Sequence, residues 1–360
     1  MRPPKRISAT KPARRHVTLR DVAHESGVSI ATVSIVLNRS PVAQSLSAAT
    51  RARVEETARL LKYSPDLMAR GLKNRQSQTV GVMIFDIADP YCTRLLKGIE
   101  GAIEPTDFLP LIMSVQNKAE LLQRYSKLAR ERRIEGLILV PNWTSFDHKL
   151  FDSFAQTPCV TIGYGISVKN IHSVLVDNVG GGFRAMEHLY EMGHRKIAVL
   201  RGPSHLPDSR ERWKGIHDFA RQANLSIDPE LVVEIQSLSE ANSTFLEGYR
   251  LTLDLIGRGR PFTALVAFDD LAAAGAIRAF RESAWDIPQR CSVIGFDDVP
   301  NAEFISPSLT TMRQPLEDMG KFAVEMLLTR IEQKNHMTTV ASSTVFNPTL
   351  TVRASTGPAR

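Results

Sequence analysis

From Val80 onward, short apolar runs rich in β-branched residues alternate with longer stretches of helical periodicity, and this alternation restricts the fold more than any other feature of the chain. The runs are Val80 to Phe85, Gly136 to Val140, Cys159 to Ile162, Ser173 to Val176, Lys196 to Leu200, Leu231 to Ile235, Ala264 to Phe268 and Ser292 to Gly295. Strands apolar on both faces belong to parallel sheets covered by helices on each side. About 280 residues take part, more than one such sheet needs, so two doubly wound lobes are expected.

The front of the chain is of another kind. Thr18 is a good N-cap with Asp21 in the first turn behind it, and Leu19, Val22 and Ala23 fall on one helical face. Gly27 supplies a left-handed turn and Ser29 caps a second helix. On that helix Val33, Val36 and Leu37 share the side that packs on the first, while Ala31, Ser34, Ile35 and Asn38 point outward. A third helix fits residues 47–62, with Val54, Ala58 and Leu61 at helical spacing, until Tyr63-Ser64-Pro65 breaks it. Two short helices joined by a glycine turn form a helix-turn-helix, whose second helix fits the major groove of DNA.

Charge supports this reading. Residues 1–75 hold fifteen Lys or Arg against five Asp or Glu, whereas the rest hold thirty against thirty-three, so the net charge of +7 arises in the first fifth of the chain. A uniformly solvated surface does not produce that asymmetry; a phosphate-binding headpiece does. Residues 1–16 are basic and lack an apolar core, so they are read as a disordered arm rather than a secretory signal. Added phosphate contacts and simple solvation both account for such an arm.

Other classes are disfavoured. No apolar run approaches the roughly 20 residues of a membrane span. Cys92, Cys159 and Cys291 lie far apart, which fits a reducing cytoplasm and no zinc site. His188 and His194 lack metal-ligand spacing, and a helix surface plus a turn accounts for them. Gly180, Gly181 and Gly182 match no phosphate loop and are assigned to close packing or a lobe crossover. No nucleophile elbow or paired carboxylates beside a base are present, so neither an enzyme nor a cofactor is expected.

The ordered set of motifs resembles the LacI family of bacterial transcription regulators. In the headpiece it comprises Thr18 to Ala23, Gly27-Val28-Ser29, Thr32-Val33-Ser34 and Leu37-Asn38, followed by Tyr63-Ser64-Pro65, Ala69-Arg70 and Leu72. In the body it comprises Val176-Asp177-Asn178, Gly193 to Ala198, Arg212 to Gly215, Gly295 to Asp298 and Pro307 to Thr311. The resemblance implies an α/β chain: a disordered arm at 1–16, an all-α helix-turn-helix headpiece at 17–65, a hinge at 66–78, and a periplasmic-binding-protein-like body of two doubly wound parallel-sheet lobes at 79–360. It also implies a cytoplasmic, nucleoid-associated homodimer on a partly palindromic double-stranded operator, acting as a repressor under allosteric control by a sugar-like small molecule. Lobe crossings are expected near Asn178, Ser306 to Leu309 and Met337 to Val340. No heptad tail follows residue 340, which favours a dimer over a tetramer.

The expected DNA-facing set is Thr18, Ser29, Ile30, Ala31, Thr32, Ser34, Ile35 and Asn38, with Arg70, Leu72 and Lys73 in the hinge. In the family the hinge leucine wedges into the minor groove, and Leu72 holds that position. Ile30, Ala31 and Ile35 cannot form bidentate bonds to guanine or adenine, so readout is expected to lean on thymine methyl groups. Ile35 can alternatively pack against the protein.

Effector residues are sought at the carboxyl ends of the strands. Arg212 stands where the family places a ligand-binding arginine, with Arg210 two residues earlier and Asp297 at the end of its run; Tyr91 stands at an aromatic stacking position. An arginine opposite an aspartate suits a polyhydroxylated ligand, although the two also make a plain structural ion pair. Cys92 replaces a second aromatic, which disfavours planar bases. Asn142, Trp143 and Asp269 are weaker choices, Trp143 and Phe268 being equally suited to the core. The alternatives are the same DNA-binding role gated by a protein partner or by no ligand, and an enzyme on the same fold.

Overall fold

A computed structural model describes residues 17–38, 40–63, 77–116, 118–131, 134–141, 157–165, 171–236, 243–333 and 342–360, in two units that divide between Arg75 and Gln76. The first unit holds α1 (Leu19–Ser26), α2 (Ile30–Leu37), a 3-10 turn (Pro41–Ser45) and α3 (Ala48–Leu60). Val22, Ala23, Val33, Val36, Val54 and Ala58 form its core, and Leu19 and Leu37 pack against it. α3 ends two residues earlier than the spacing predicts, because Lys62 turns left-handed at φ 53°.

The second unit begins with a lobe containing β1 (Thr79–Ile84), α4 (Pro90–Ile103), β2 (Leu109–Ser114), α5 (Ala119–Glu131), β3 (Gly136–Val140), β4 (Cys159–Ile162) and β5 (Ile171–Val176). The second lobe follows with α6 (Asn178–Glu191), β6 (Ile197–Arg201), α7 (Pro207–Gln222), β7 (Val232–Glu234), α8 (Ser243–Gly257), β8 (Ala264–Ala267), α9 (Asp270–Glu282), β9 (Ser292–Asp297), α10 (Asn301–Phe304) and β10 (Thr310–Arg313). α11 (Leu316–Glu332) and β11 (Ser342–Phe346) return to the first lobe, and β12 (Thr349–Thr351) ends in the second. Each lobe is a six-stranded sheet, β11-β5-β4-β3-β1-β2 and β12-β10-β9-β8-β6-β7. All described pairings are parallel except that of β12 with β10. All eight apolar runs in the sequence are strands here.

The chain crosses between lobes three times, and only the first crossing, at Asp177–Asn178, lies where the resemblance places it. The second falls at Gln314 and Pro315, after β10, rather than at Ser306 to Leu309. β10 was not among the runs read from the sequence, so the strand that delays this crossing was missed. The third falls at Asn347 and Pro348, between β11 and β12, whereas Met337 to Val340 lie outside the described residues. Paired glycines set the helix spacing. A Cβ on Gly182 of α6 would come within 2.2 Å of the Arg212 carbonyl oxygen on α7, and one on Gly215 of α7 within 2.0 Å of the Val179 carbonyl oxygen on α6.

Candidate functional site

In the headpiece, the Thr18 hydroxyl accepts the Asp21 amide at 3.4 Å while the Thr18 amide donates to the Asp21 carboxylate at 2.7 Å, a reciprocal capping box that fixes the start of α1. Gly27, at φ 66°, turns the chain into α2. There the Ser29 hydroxyl accepts the Thr32 amide at 3.1 Å and pairs with the Thr32 hydroxyl at 2.9 Å. Ser29, Ala31 and Asn38 are exposed and Ile30 is 46% exposed, a large apolar side chain left on the surface at the tip of the second helix. Thr32, Ser34 and Ile35 are half-buried, so Ile35 belongs partly to each of its two readings. Asn38 donates to the Ser34 hydroxyl at 3.0 Å. Arg70, Leu72 and Lys73 lie outside the described residues.

In the body, a cleft enclosing about 920 Å³, part of it open to solvent, is lined from both lobes. Phe85, Asp89, Tyr91 and Gly163 come from the first lobe, and Asp208, Arg212, Thr244, Phe268, Asp269, Asp270 and Asp297 from the second. The crossing residues Asn178 and Gln314 complete it. Arg212 is its buried cation, 8% exposed. Its Nε donates to Asn178 Oδ1 at 3.0 Å and its Nη1 to the Phe268 carbonyl at 2.6 Å, while the Phe296 ring lies 3.7 Å beneath the guanidinium carbon. Nη2 stands 3.7 Å from Asp297 Oδ1 and 3.9 Å from Asp208 Oδ2, close enough to feel both charges but beyond hydrogen-bond reach.

Asp297 ends β9 with φ 115°, a backbone conformation uncommon for a non-glycine residue, and accepts from Gln314 Nε2 at 2.6 Å. Asp89 caps α4 by accepting the Tyr91 amide at 2.8 Å, and Asp269 caps α9 by accepting the Ala272 amide at 2.6 Å. Asp270 accepts from the Val299 amide at 2.9 Å and the Thr311 hydroxyl at 2.6 Å. Burial pushes the Asp89 carboxyl up to about 7, with the charges of Asp269 and Asp86 adding to it. Burial likewise raises Asp269, Asp270 and Asp297, the last against the pull of Arg212. Tyr91, a cleft wall packed against the Phe85 ring, is also raised by burial.

The structure therefore brings together Tyr91, Arg212, Asp269 and Asp297 of the expected effector residues. Arg210 is corrected: it is exposed, donates to the Ser204 and His205 carbonyls at 3.2 and 2.8 Å, and is not among the cleft-lining residues. Two residues before Arg212 on a helix is about 200° away, which puts it on the opposite face. Asn142 and Trp143 lie outside the described residues. Phe268, left between core and contact, is buried and also lines the cleft. Sequence reading gave no ligand role to Asp89, Asp208 or Gln314 and placed Asn178 only at a lobe crossing; the Asp-Pro start of α4 and the spacing of Asp208 one turn before Arg212 were signals for two of them.

His188 and His194 are also corrected. Both are buried, and they tie the body to its final segment: His188 bonds the Thr356 hydroxyl at 3.0 Å, and His194 bonds Thr263, Ser292 and the Gly357 carbonyl at 2.9 to 3.0 Å. Gly181 and Gly182 do serve close packing, against the Phe296 ring and the Arg212 backbone.

Residues 18–66 match the bacterial regulatory proteins of the lacI family, and residues 186–356 match the periplasmic binding protein-like domain. The chain is 30% identical over 316 residues to the HTH-type transcriptional repressor CytR of Escherichia coli (strain K12), covering 88% of this chain and 90% of that protein. It superposes on the lac repressor dimer bound to operator and the anti-inducer ONPF with a TM-score of 0.81 at 26% identity, covering 95% and 100% of the two chains. For a complex of the transcriptional regulator CelR with cellobiose the TM-score is 0.68 at 28% identity, covering 94% and 100%.

Proposed function

The chain belongs to the LacI family and is a DNA-binding transcriptional repressor, and from that premise we propose that its operator affinity is set by a sugar or sugar derivative bound between the two lobes of the body. One observation carries the reading: the buried Arg212 guanidinium uses two of its nitrogens to hold itself in place and leaves Nη2 beyond hydrogen-bond reach of Asp297 and Asp208. Vicinal hydroxyls fit there, because one oxygen accepts from Nη2 while a neighbouring hydroxyl donates to Asp297. The Asp297 backbone, held in a costly conformation at the same point, is the kind of strain that collects at binding sites. That the similar CelR regulator forms a complex with cellobiose supports a sugar as the ligand class.

Ligand bound across the cleft favours one lobe angle over the other, and in a homodimer that angle decides whether the two hinges pair on DNA. The test is a thermal-shift screen of the full chain against sugars and sugar acids, followed by operator binding with each hit. A ligand at a hundred times its dissociation constant adds about 2.7 kcal/mol. Loss of that shift in an Arg212→Ala variant supports the reading; a shift that survives the substitution places the ligand elsewhere.

We further infer that the headpiece reads thymine methyl groups through Ile30, Ala31 and Ile35, while Thr18, Ser29, Thr32, Ser34 and Asn38 position the helix and Arg70, Leu72 and Lys73 serve the hinge. Ile30 and Ala31, exposed at the tip of α2, offer methyl and methylene surface with no donor for a guanine edge.

A further inference from the structure

We propose that the effector of this cleft carries an ammonium group on its polyhydroxylated frame, seated between Asp89 of the first lobe and Asp269 of the second while its hydroxyls engage Arg212 and Asp297. This rests on the cleft being the effector site. The carboxylates of Asp89, Asp208, Asp269, Asp270 and Asp297 line it together with a single guanidinium, that of Arg212. The charge is unevenly distributed as well as unbalanced. Arg212 stands against Asp297 and Asp208, and Asp270 is occupied by the Val299 amide and the Thr311 hydroxyl. Asp89 receives the Tyr91 and Cys92 amides and feels the charges of Asp269 and Asp86, while Asp269 receives the Ala272 amide and the Thr244 side chain and feels Asp208 against the pull of Arg212.

No ion pair to either residue occurs among the described residues, although both lie close enough to Arg212 or to each other for charge to be felt. Burial holds both carboxyls toward their neutral form, helped by the charge of Asp269 at Asp89 and opposed by Arg212 at Asp269, a cost that a cation between them reverses. A bare metal ion does not fit that role. Among the described residues, no three His, Cys, Asp or Glu side chains converge as metal ligands. Carboxylates spread across a cleft between two lobes suit a cation carried on an extended organic frame, which also gives the ligand a handle on each lobe.

The experiment compares D-glucosamine and D-galactosamine with their neutral parent sugars and N-acetyl derivatives, by thermal shift and calorimetry on the full chain near neutral pH. The expected result is binding of an amino sugar about tenfold or more tighter than its parent and N-acetyl counterparts. The preference disappears in Asp89→Asn and Asp269→Asn, where asparagine keeps the helix cap. A neutral parent that binds equally well overturns the ammonium proposal and leaves the sugar reading intact. A probe whose binding survives Arg212→Ala overturns both. A ligand-free arm decides the matter where none of these sugars binds. Because burial disfavours the ionised form of both carboxyls, the doubly substituted protein is expected to melt higher than the parent at alkaline pH, where both are charged, and to lose that advantage at acid pH. A double variant that melts lower at alkaline pH overturns the proposal, since the two carboxylates would then already be compensated.

Discussion

Arg212 carries more of this molecule's logic than any other side chain, because the same guanidinium closes the lobe crossing at Asn178, braces the Phe268 carbonyl and faces the cleft. Arg212→Ala leaves Asn178 Oδ1 and the Phe268 carbonyl without their buried donor, a change that costs about 1–3 kcal/mol for each group left unsatisfied; chemical denaturation checks it. Arg212→Lys retains the charge but cannot bond Asn178 and Phe268 together, so it is expected to fold well and respond weakly to effector. Asp297 was legible in the sequence because it sits at a strand end, where ligand sites of parallel sheets collect, and Arg212, inside α7, was legible through the family resemblance. Gln314 was not, since it follows β10, a strand too short and too polar in appearance to read. His194 shows the same limit: its burial comes from the Gly357 and Ser292 contacts, far apart in sequence. Burial holds His172, His188 and His194 below the ordinary 6.5. A folded-state value below the unfolded one means the unfolded chain binds the extra proton, so their contribution is intact above about 6.5 and is lost as pH falls below it. The raised aspartates of the cleft act in the opposite direction, gaining stability as pH drops through about 7. Comparing melting from pH 7.5 to 5.5 in the wild type and His188→Gln isolates one histidine: the variant is expected to show the shallower acid decline.

At the level of helices and strands, the helical pairs are locked by glycine on both sides. Gly98 of α4 faces the Glu317 backbone and Gly320 of α11 faces Leu95; the pairs Gly182 with Gly215 and Gly248 with Gly275 repeat the device on α6 with α7 and on α8 with α9. In each pair a Cβ would meet a backbone oxygen at 2.0 to 2.4 Å, a contact that no rotamer change relieves. Gly182→Ala is therefore expected to push α7 away from α6, costing on the order of 1–3 kcal/mol and weakening effector response through displacement of Arg212. Denaturant melts and ligand titration together check this, because lost stability alone does not predict a lost response at saturating ligand. In the headpiece, Thr18→Ala removes one half of the capping box and is expected to cost about 1 kcal/mol of α1 stability. Eight strands were legible because they are buried on both faces and read as apolar runs. β2 was not, because it begins Leu109-Pro110 and lies at the sheet edge with most of its residues exposed. β12 was missed for a related reason: three residues with one apolar side chain carry no periodicity to detect.

Across the whole molecule, charge is partitioned by task. The first 75 residues carry fifteen cations against five anions, and the remaining 285 carry thirty against thirty-three, so attraction to a polyanion is confined to the front while the body is slightly repelled. That division lets an acidic effector cleft exist in a protein whose net charge is +7. It also keeps the body from competing for phosphates. Because electrostatic binding releases counterions in proportion to phosphates contacted, the logarithm of operator affinity is expected to fall linearly with that of salt. Residues 1–16 contribute six of the fifteen front cations, Arg2, Lys5, Arg6, Lys11, Arg14 and Arg15. Removing them is expected to reduce the slope by about 0.9 for each phosphate the arm touches, equally for operator and unrelated DNA, because backbone contacts carry no sequence information. Ala31→Gln, by contrast, is expected to leave the slope unchanged while drawing adenine into the preferred half-site through a bidentate contact. Fluorescence anisotropy across a salt series, run in parallel with half-site selection, separates these two outcomes. An unchanged slope without the arm would show that those cations are only solvated, and a shift in base preference without the arm would place base readout in the arm as well as in α2.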